Sequence, residues 1–369
     1  LLLAAGLTVG TIAFGGGTAA LAQGTIPGLT STPITFSGHA DDFVAGPDGN
    51  VWIINATANA IGRLAVDGSA YQAFLVPTPA AGLNSITAGP DGNLWFTESS
   101  VSKVGRITTA GAITEFTVPP GFVFSLFGFV NGEGTIAAGP DGNLWISGSG
   151  QMARVTPQGA VTVLSVAPPP GGDLFEIGKC VAGPDGNLWC LSSVRIAGEF
   201  DNHPVKVTAA GVATVYPGFF GQYFDILNGP DGNLWISAQG ASPPESLTRV
   251  TPAGVETVFT LPTTRESRLA AGADGNIWFT ERTTMGNLWQ MILSSATDDG
   301  QATFNTTPIS TSYPEGIIAV GSPPGASGIR TARADANGCP AGASFVVGTS
   351  AEYGENLTWC KTGIDTECT

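Results

Sequence analysis

Positive charge is scarce in this chain. Of its 369 residues, 14 are Lys or Arg against 29 Asp or Glu, and the net charge is -15. A surface of that sign repels nucleic acid and anionic lipid, so neither is expected as a partner. Histidine is scarcer still. The two present, His39 and His203, leave little room for a His-rich metal site or a Ser-His-Asp triad. The chain has no GxxxxGK phosphate loop, no HExxH zinc motif and no GxSxG nucleophile elbow. Charged residues of both signs make up only 12%, while Gly numbers 52 and Pro 26. That balance suits many short strands joined by tight turns. A hydrophobic content of 43% is enough for a packed core and argues against disorder.

Long apolar runs are also few. One, residues 1–22, ends in Ala20-Leu21-Ala22. It reads as the apolar region and cleavage site of a signal peptide, cut before Gln23; an uncleaved membrane anchor is the alternative, against which Gly10 and Gly15-Gly16-Gly17 argue. The chain is therefore expected to be secreted or periplasmic, with no membrane attachment after cleavage. Export permits disulfides. The five cysteines are Cys180, Cys190, Cys339, Cys360 and Cys368, an odd count that leaves one thiol over.

What the chain does have is repetition. AGPDGNVW begins at Ala45, AGPDGNLW at Ala88, Ala138 and Ala182, NGPDGNLW at Asn228, and AGADGNIW at Ala271. Each copy continues alike, as in VGRITTAG at 104–111 followed by AITEFTVP at 112–119. One unit reads strand, PDG turn, strand, loop, strand, Gly turn, strand. In the turn, Pro fixes φ, Asp tolerates the next place and Gly takes the left-handed one. Four antiparallel strands per repeat of this length is the period of a β-propeller blade. The fold class is therefore all-β, a propeller of seven blades, with six as the alternative. The domain reading is a signal peptide over 1–22, the propeller over 23–360 and a tail over 361–369. Clear repeats span about 38–310. A degenerate last blade spans about 312–360, from EGIIAVG at 315–321 through GIRTARA at 328–334 and ASFVVGTS at 343–350. TPITFS at 32–37 resembles an outermost strand and is expected to close the ring from the N-terminus.

The tryptophans Trp52, Trp95, Trp145, Trp189, Trp235 and Trp278 recur in every copy, so packing between blades is their expected role. The PDG turn of the fourth copy sets Cys180 opposite Cys190. A cross-strand disulfide there and two buried free thiols are both open readings.

Function is expected on the rim away from the PDG turns, where loops vary. The crossing loops 119–134, 167–178 and 217–226 bring Phe124, Phe127, Phe220, Tyr223 and Phe224 to that rim. Carboxylates including Asp42, Glu98, Asp225 and Glu281 join them, and both histidines fall in its loops. An acidic, aromatic rim suits a small-molecule or peptide ligand bound by a monomer, with carboxylates suited to Mg²⁺ or Ca²⁺.

ITAGPDGNLWFTE at 86–98, followed by KVGRITTAGAITEF at 103–116, resembles the repeat of the streptogramin B (virginiamycin B) lyases. The resemblance covers residues 38–320. It implies a seven-bladed propeller that opens cyclic depsipeptides by elimination at an ester, with Mg²⁺ as cofactor. It also implies two histidines just before inner strands and a glutamate ending a WFTE string. The histidine place lies five residues before the Gly that opens each turn motif, and holds Asp41, Asn84, Gly134, Gly178, Phe224, Ser267 and, in the degenerate copy, Glu315. None is His. The glutamate place holds Glu98 and Glu281, which the resemblance makes candidate metal ligands or bases. Ser267 stands beside Glu281's copy as a substrate contact, and His39 lies two residues from one histidine place as a candidate catalytic group. A non-catalytic binding propeller is the other reading.

Overall fold

The structure is a computed structural model that describes residues 2–3, 7–13, 42–65, 70–124, 136–168, 172–196, 199–216, 221–240, 246–260, 269–271, 277–281, 287–292, 303–308, 314–321, 343–349 and 356–362. These residues form seven antiparallel sheets, six of four strands and one of five. The first strand of each sheet touches the first strand of the next, and the seventh touches the first. These inner strands therefore surround a common axis, the arrangement of a β-propeller.

The second sheet shows how one repeat folds. Its strands are Leu83–Ala88, Leu94–Glu98, Lys103–Ile107 and Ile113–Thr117, each paired antiparallel with its neighbour. The PDG turn closes with Gly92 at φ 74° and the Gly89 amide donating to the Asn93 carbonyl at 2.7 Å. The turn aspartate does more than tolerate the bend. Asp91 Oδ1 accepts the Trp95 indole N–H at 3.0 Å, and Asp48, Asp141, Asp185 and Asp231 repeat the contact. A Cβ on Gly89 would fall 2.4 Å from that indole, so only glycine fits before the turn.

The tryptophans pack as the repetition predicts. Trp52, Trp95, Trp145, Trp189 and Trp235 are buried, and Trp95 stacks on Phe116 of the outer strand at 5.5 Å. Arg106 lies over the Trp95 ring and donates to the Pro157 carbonyl in the third sheet at 2.9 Å. Arg63 and Arg154 make the same stitch to Thr109 and Ala209. One residue position thus covers the core of its own sheet and ties it to the next.

Two departures from the sequence reading bear on the site. Residues 172–178 and 221–226, expected as crossing loops, extend inner strands instead, as Gly172–Ala182 and Gly221–Asn228. In the fourth sheet the strands Leu188–Ile196 and Glu199–Val207 lengthen with them, so this sheet stands proud of its neighbours. His203 accordingly lies in a strand, not a loop, with Nδ1 2.9 Å from the Tyr216 carbonyl.

The seventh sheet combines Pro314–Gly321, Ala343–Thr349 and Asn356–Thr362 with Leu7–Ala13 and Leu2–Leu3. Its N-terminal strands come from the stretch read as a leader. The β-branched residues of LTVGTIA suit a strand, which here pairs on both sides. The segments 32–37 and 328–334 lie outside the described residues, as do Cys339 and Cys368. No described helix is long and apolar enough to cross a membrane.

Candidate functional site

The inner strands share a feature invisible in the repeat. Pairing with the second strand slips by one residue between Leu83 and Ile86, Ile177 and Cys180, Tyr223 and Asp225, and Pro314 and Gly316. Each slip is a β-bulge in the first half of an inner strand or near its middle. The bulges contain Asn84, Gly178, Phe224 and Glu315, the residues at the place where the resemblance sets histidine. Bulges gather next to active sites because they turn a side chain out of the pleat.

The residue following that place carries the polar chemistry. Asp225 is 2% exposed and saturated with donors. Its Oδ1 accepts the Ile226 amide at 2.8 Å and the Lys179 ammonium, and its Oδ2 accepts the Leu269 amide at 2.8 Å. Asp42 repeats this on the first sheet. Its Oδ1 takes the Phe43 amide at 2.9 Å and its Oδ2 the Ile86 amide at 2.8 Å. Each aspartate thus clasps the inner strand of the next sheet, across the same 44 residues. The clasped sheets, second and sixth, are those whose second strands end in Glu98 and Glu281. Burial pushes the Asp42 carboxyl up to about 6, against the pull of its hydrogen bonds and of the Lys179 charge.

The fourth sheet holds Lys179 in place. Cys180 and Cys190 are disulfide-bonded, with Cα atoms 4.0 Å apart, directly beside the bulge. Ser147 of the third sheet donates to the Gly178 carbonyl at 2.7 Å. Of the two readings open for the cysteine pair, the disulfide is the one found.

The other expected site residues divide. Glu98 ends its strand with no exposed surface and no hydrogen-bond partner for either carboxylate oxygen. The turn 99–102 closes over it, with the Ser99 and Ser100 amides bonded to the Gly82 and Ala81 carbonyls. Burial, helped by the Glu115 charge and opposed by Lys103, pushes its pKa up to about 7. Phe124 is 5% exposed and meets Phe122 edge-on at 5.1 Å within the packing of the second and third sheets. Tyr223 is 3% exposed and packs with Leu191 and Leu234 between the fourth and fifth. These two aromatics are core residues, which corrects their expected place on an open rim. Extending the inner strand drew Tyr223 inward. For Glu281 and Phe224 the strand backbone is described. His39, Phe127, Phe220 and Ser267 lie outside the described residues.

The described residues do not fit Mg²⁺. Among them no three His, Cys, Asp or Glu side chains converge. Asp42 and Asp225 spend their oxygens on amides and an ammonium, and Glu98 belongs to no such group. Lys179 and Asp225 were missed as a pair in the sequence. Their only signal was position, one residue beyond the histidine place.

Seven sheets about an axis, four of them with a bulged inner strand, define a β-propeller with polar groups on its inner strands. Comparison with known proteins makes the assignment narrower. The virginiamycin B lyase family matches residues 28–128 and 123–325. The chain belongs to that family. Among solved structures, a streptogramin B lyase aligns at TM-score 0.62 with 22% identity, covering 88% of this chain and 93% of that one. Virginiamycin B lyase from Staphylococcus aureus aligns at 0.63 and 22%, covering 88% and 95%. A catalytically inactive form of the Staphylococcus aureus enzyme with quinupristin aligns at 0.62 and 22%, covering 88% and 95%. At that identity the likeness speaks for the fold. No curated protein sequence matches the chain.

Proposed function

We propose that the chain is a secreted lyase that opens an ester or lactone of a cyclic depsipeptide-like substrate by elimination at its bulged inner strands. The observation that carries the reading is the coincidence of the bulges with the family's histidine places. Four inner strands leave their regular register at the place where the resemblance sets the family's histidines. Glu281, at the end of its strand in the sixth sheet, is the candidate base. Removing a proton next to a carbonyl needs such a base and a positive group or donors for the negative charge that follows. Glu98 has no exposed surface, so Glu281 is preferred to it as the base.

The absence of imidazole from every histidine place favours a second reading, a propeller that binds such a ligand without turning it over. One experiment separates the two. Purified protein is incubated with a cyclic depsipeptide, with and without Mg²⁺, and the linear product is sought by mass spectrometry. Turnover that Glu281→Ala abolishes, with the melting temperature unchanged within a few degrees, is the expected result. Binding without any linear product rejects the lyase.

A further inference from the structure

We infer that Lys179, held by Asp225, is the cationic group of the axial site and pairs with the carboxylate that an opened ester releases. The inference rests on the lyase reading for its chemistry, but its geometry stands alone.

Among the described residues of the inner strands, Lys179 is the one basic side chain. It sits inside a bulge, where a side chain can leave the pleat, and it reaches Asp225 on the neighbouring inner strand. Its side chain is 32% exposed, while its partner Asp225 is 2% exposed. The lysine side chain is therefore part-exposed while its ammonium is fixed by a buried carboxylate. Asp225 cannot swing away, because it is also bonded to the Ile226 and Leu269 amides. The same aspartate thus fixes Lys179 and the inner strand that pairs, through Leu269 and Phe279, with the strand ending in Glu281. A preorganised cation of this kind stabilises negative charge without reorganising during the reaction. It would take the place of the divalent ion that the described carboxylates do not accommodate.

The step balances. The Glu281 carboxylate takes the proton from the carbon next to the carbonyl. The electron pair forms a carbon–carbon double bond, and the neighbouring carbon–oxygen bond of the ester breaks. The leaving group is a carboxylate, which pairs with the Lys179 ammonium. Glu281 ends protonated, and no oxidant or cofactor is consumed.

The test reads Lys179 directly in the wild-type protein. Reductive methylation of its amine is followed by peptide mass spectrometry, with benzoate or uncharged benzamide present. At about 20 mM, benzoate should slow methylation of Lys179 roughly fivefold, as for a millimolar site, and benzamide should not. Lys179→Met should lower depsipeptide turnover by about 10²–10³ in kcat with little change in KM, and Lys179→Arg should restore most of it. Unslowed methylation, or full kcat in Lys179→Met, overturns the inference. Protection by benzoate with no turnover by any protein supports Lys179 as the anion-binding group and removes the lyase reading instead. If Lys179→Met does not fold, the protection measurement decides.

Discussion

Glu98 and its counterparts show how one position changes meaning around the ring. The residue three places after the motif tryptophan is Asn55 in the first sheet, Glu98 in the second, Ser192 in the fourth and Ala238 in the fifth. Asn55 is satisfied locally, taking the Ala58 amide at 2.9 Å, and Ser192 donates to the His203 carbonyl at 2.8 Å. Gly148 follows the strand in the third sheet, where a Cβ would fall 2.5 Å from the Val123 carbonyl oxygen. Glu98 alone of these is a carboxyl without a partner. Such a group is tolerated as the neutral acid. Its pKa is raised above the ordinary 4.5 to about 7, so the folded state holds the proton more tightly than the unfolded chain does. The stabilising share of the neutral form is complete below the unfolded pKa and is lost as pH rises through about 7. Glu98→Gln removes the titration while keeping the shape. Urea unfolding at about pH 5 and pH 8.5 should find the two proteins alike at the lower pH. At the higher pH Glu98→Gln should be more stable by up to about 3 kcal/mol, the equivalent of the displaced pKa. Parallel curves would mean that Glu98 is ionised in the folded protein.

At the scale of elements, the sequence was legible where local chemistry decides and silent where neighbours decide. The PDG turns, the strand order within each unit and the buried tryptophans follow from residues a few places apart. So does the pairing of Cys180 with Cys190, which needs only the turn between them. The bulges do not follow. They involve contacts between sheets, as where Asp42 of the first sheet takes the Ile86 amide beside the bulge of the second. The segments 167–178 and 217–226 read as loops because Pro, Gly and Phe crowd them. Their outer parts become strand only because partners rise beside them, as Ser192–Ile196 does for Gly172–Ile177. Even the sheets' edges join, with Phe124 bridged to Gly148 and Ser149 to Glu176. The disulfide lies where this raised part leaves the regular sheet. Replacing Cys180 and Cys190 by Ala should cost about 2–3 kcal/mol of stability. Hydrogen exchange should quicken at residues 172–177 and 191–196 and stay unchanged in the first and second sheets. Uniform quickening would show that the bridge supports the whole fold and not the raised element.

At the scale of the molecule, the question is how the ring is closed. Each sheet is stitched to the next by an arginine–carbonyl bond where one is present, and by the clasps of Asp42 and Asp225. The seventh sheet has three C-terminal strands, and its fourth strand must come from the N-terminus for the edge of Asn356–Thr362 to be covered. Two segments suit that edge. Leu7–Ala13 occupies it in the structure, while TPITFS at 32–37 has the composition of an outer strand and directly precedes the first inner strand, as outer strands do in each repeat. If residues 1–22 are removed on export, the second segment inherits the edge. A chain of residues 23–369 should then fold with a stability within about 1 kcal/mol of the full chain, because one short β-branched strand replaces another. Amides of 356–362 should remain protected from exchange in that shorter chain, and N-terminal sequencing of the exported protein should begin at Gln23. Should the shorter chain aggregate, or those amides exchange freely, Leu7–Ala13 is the strand that closes the ring and residues 1–22 are part of the mature fold.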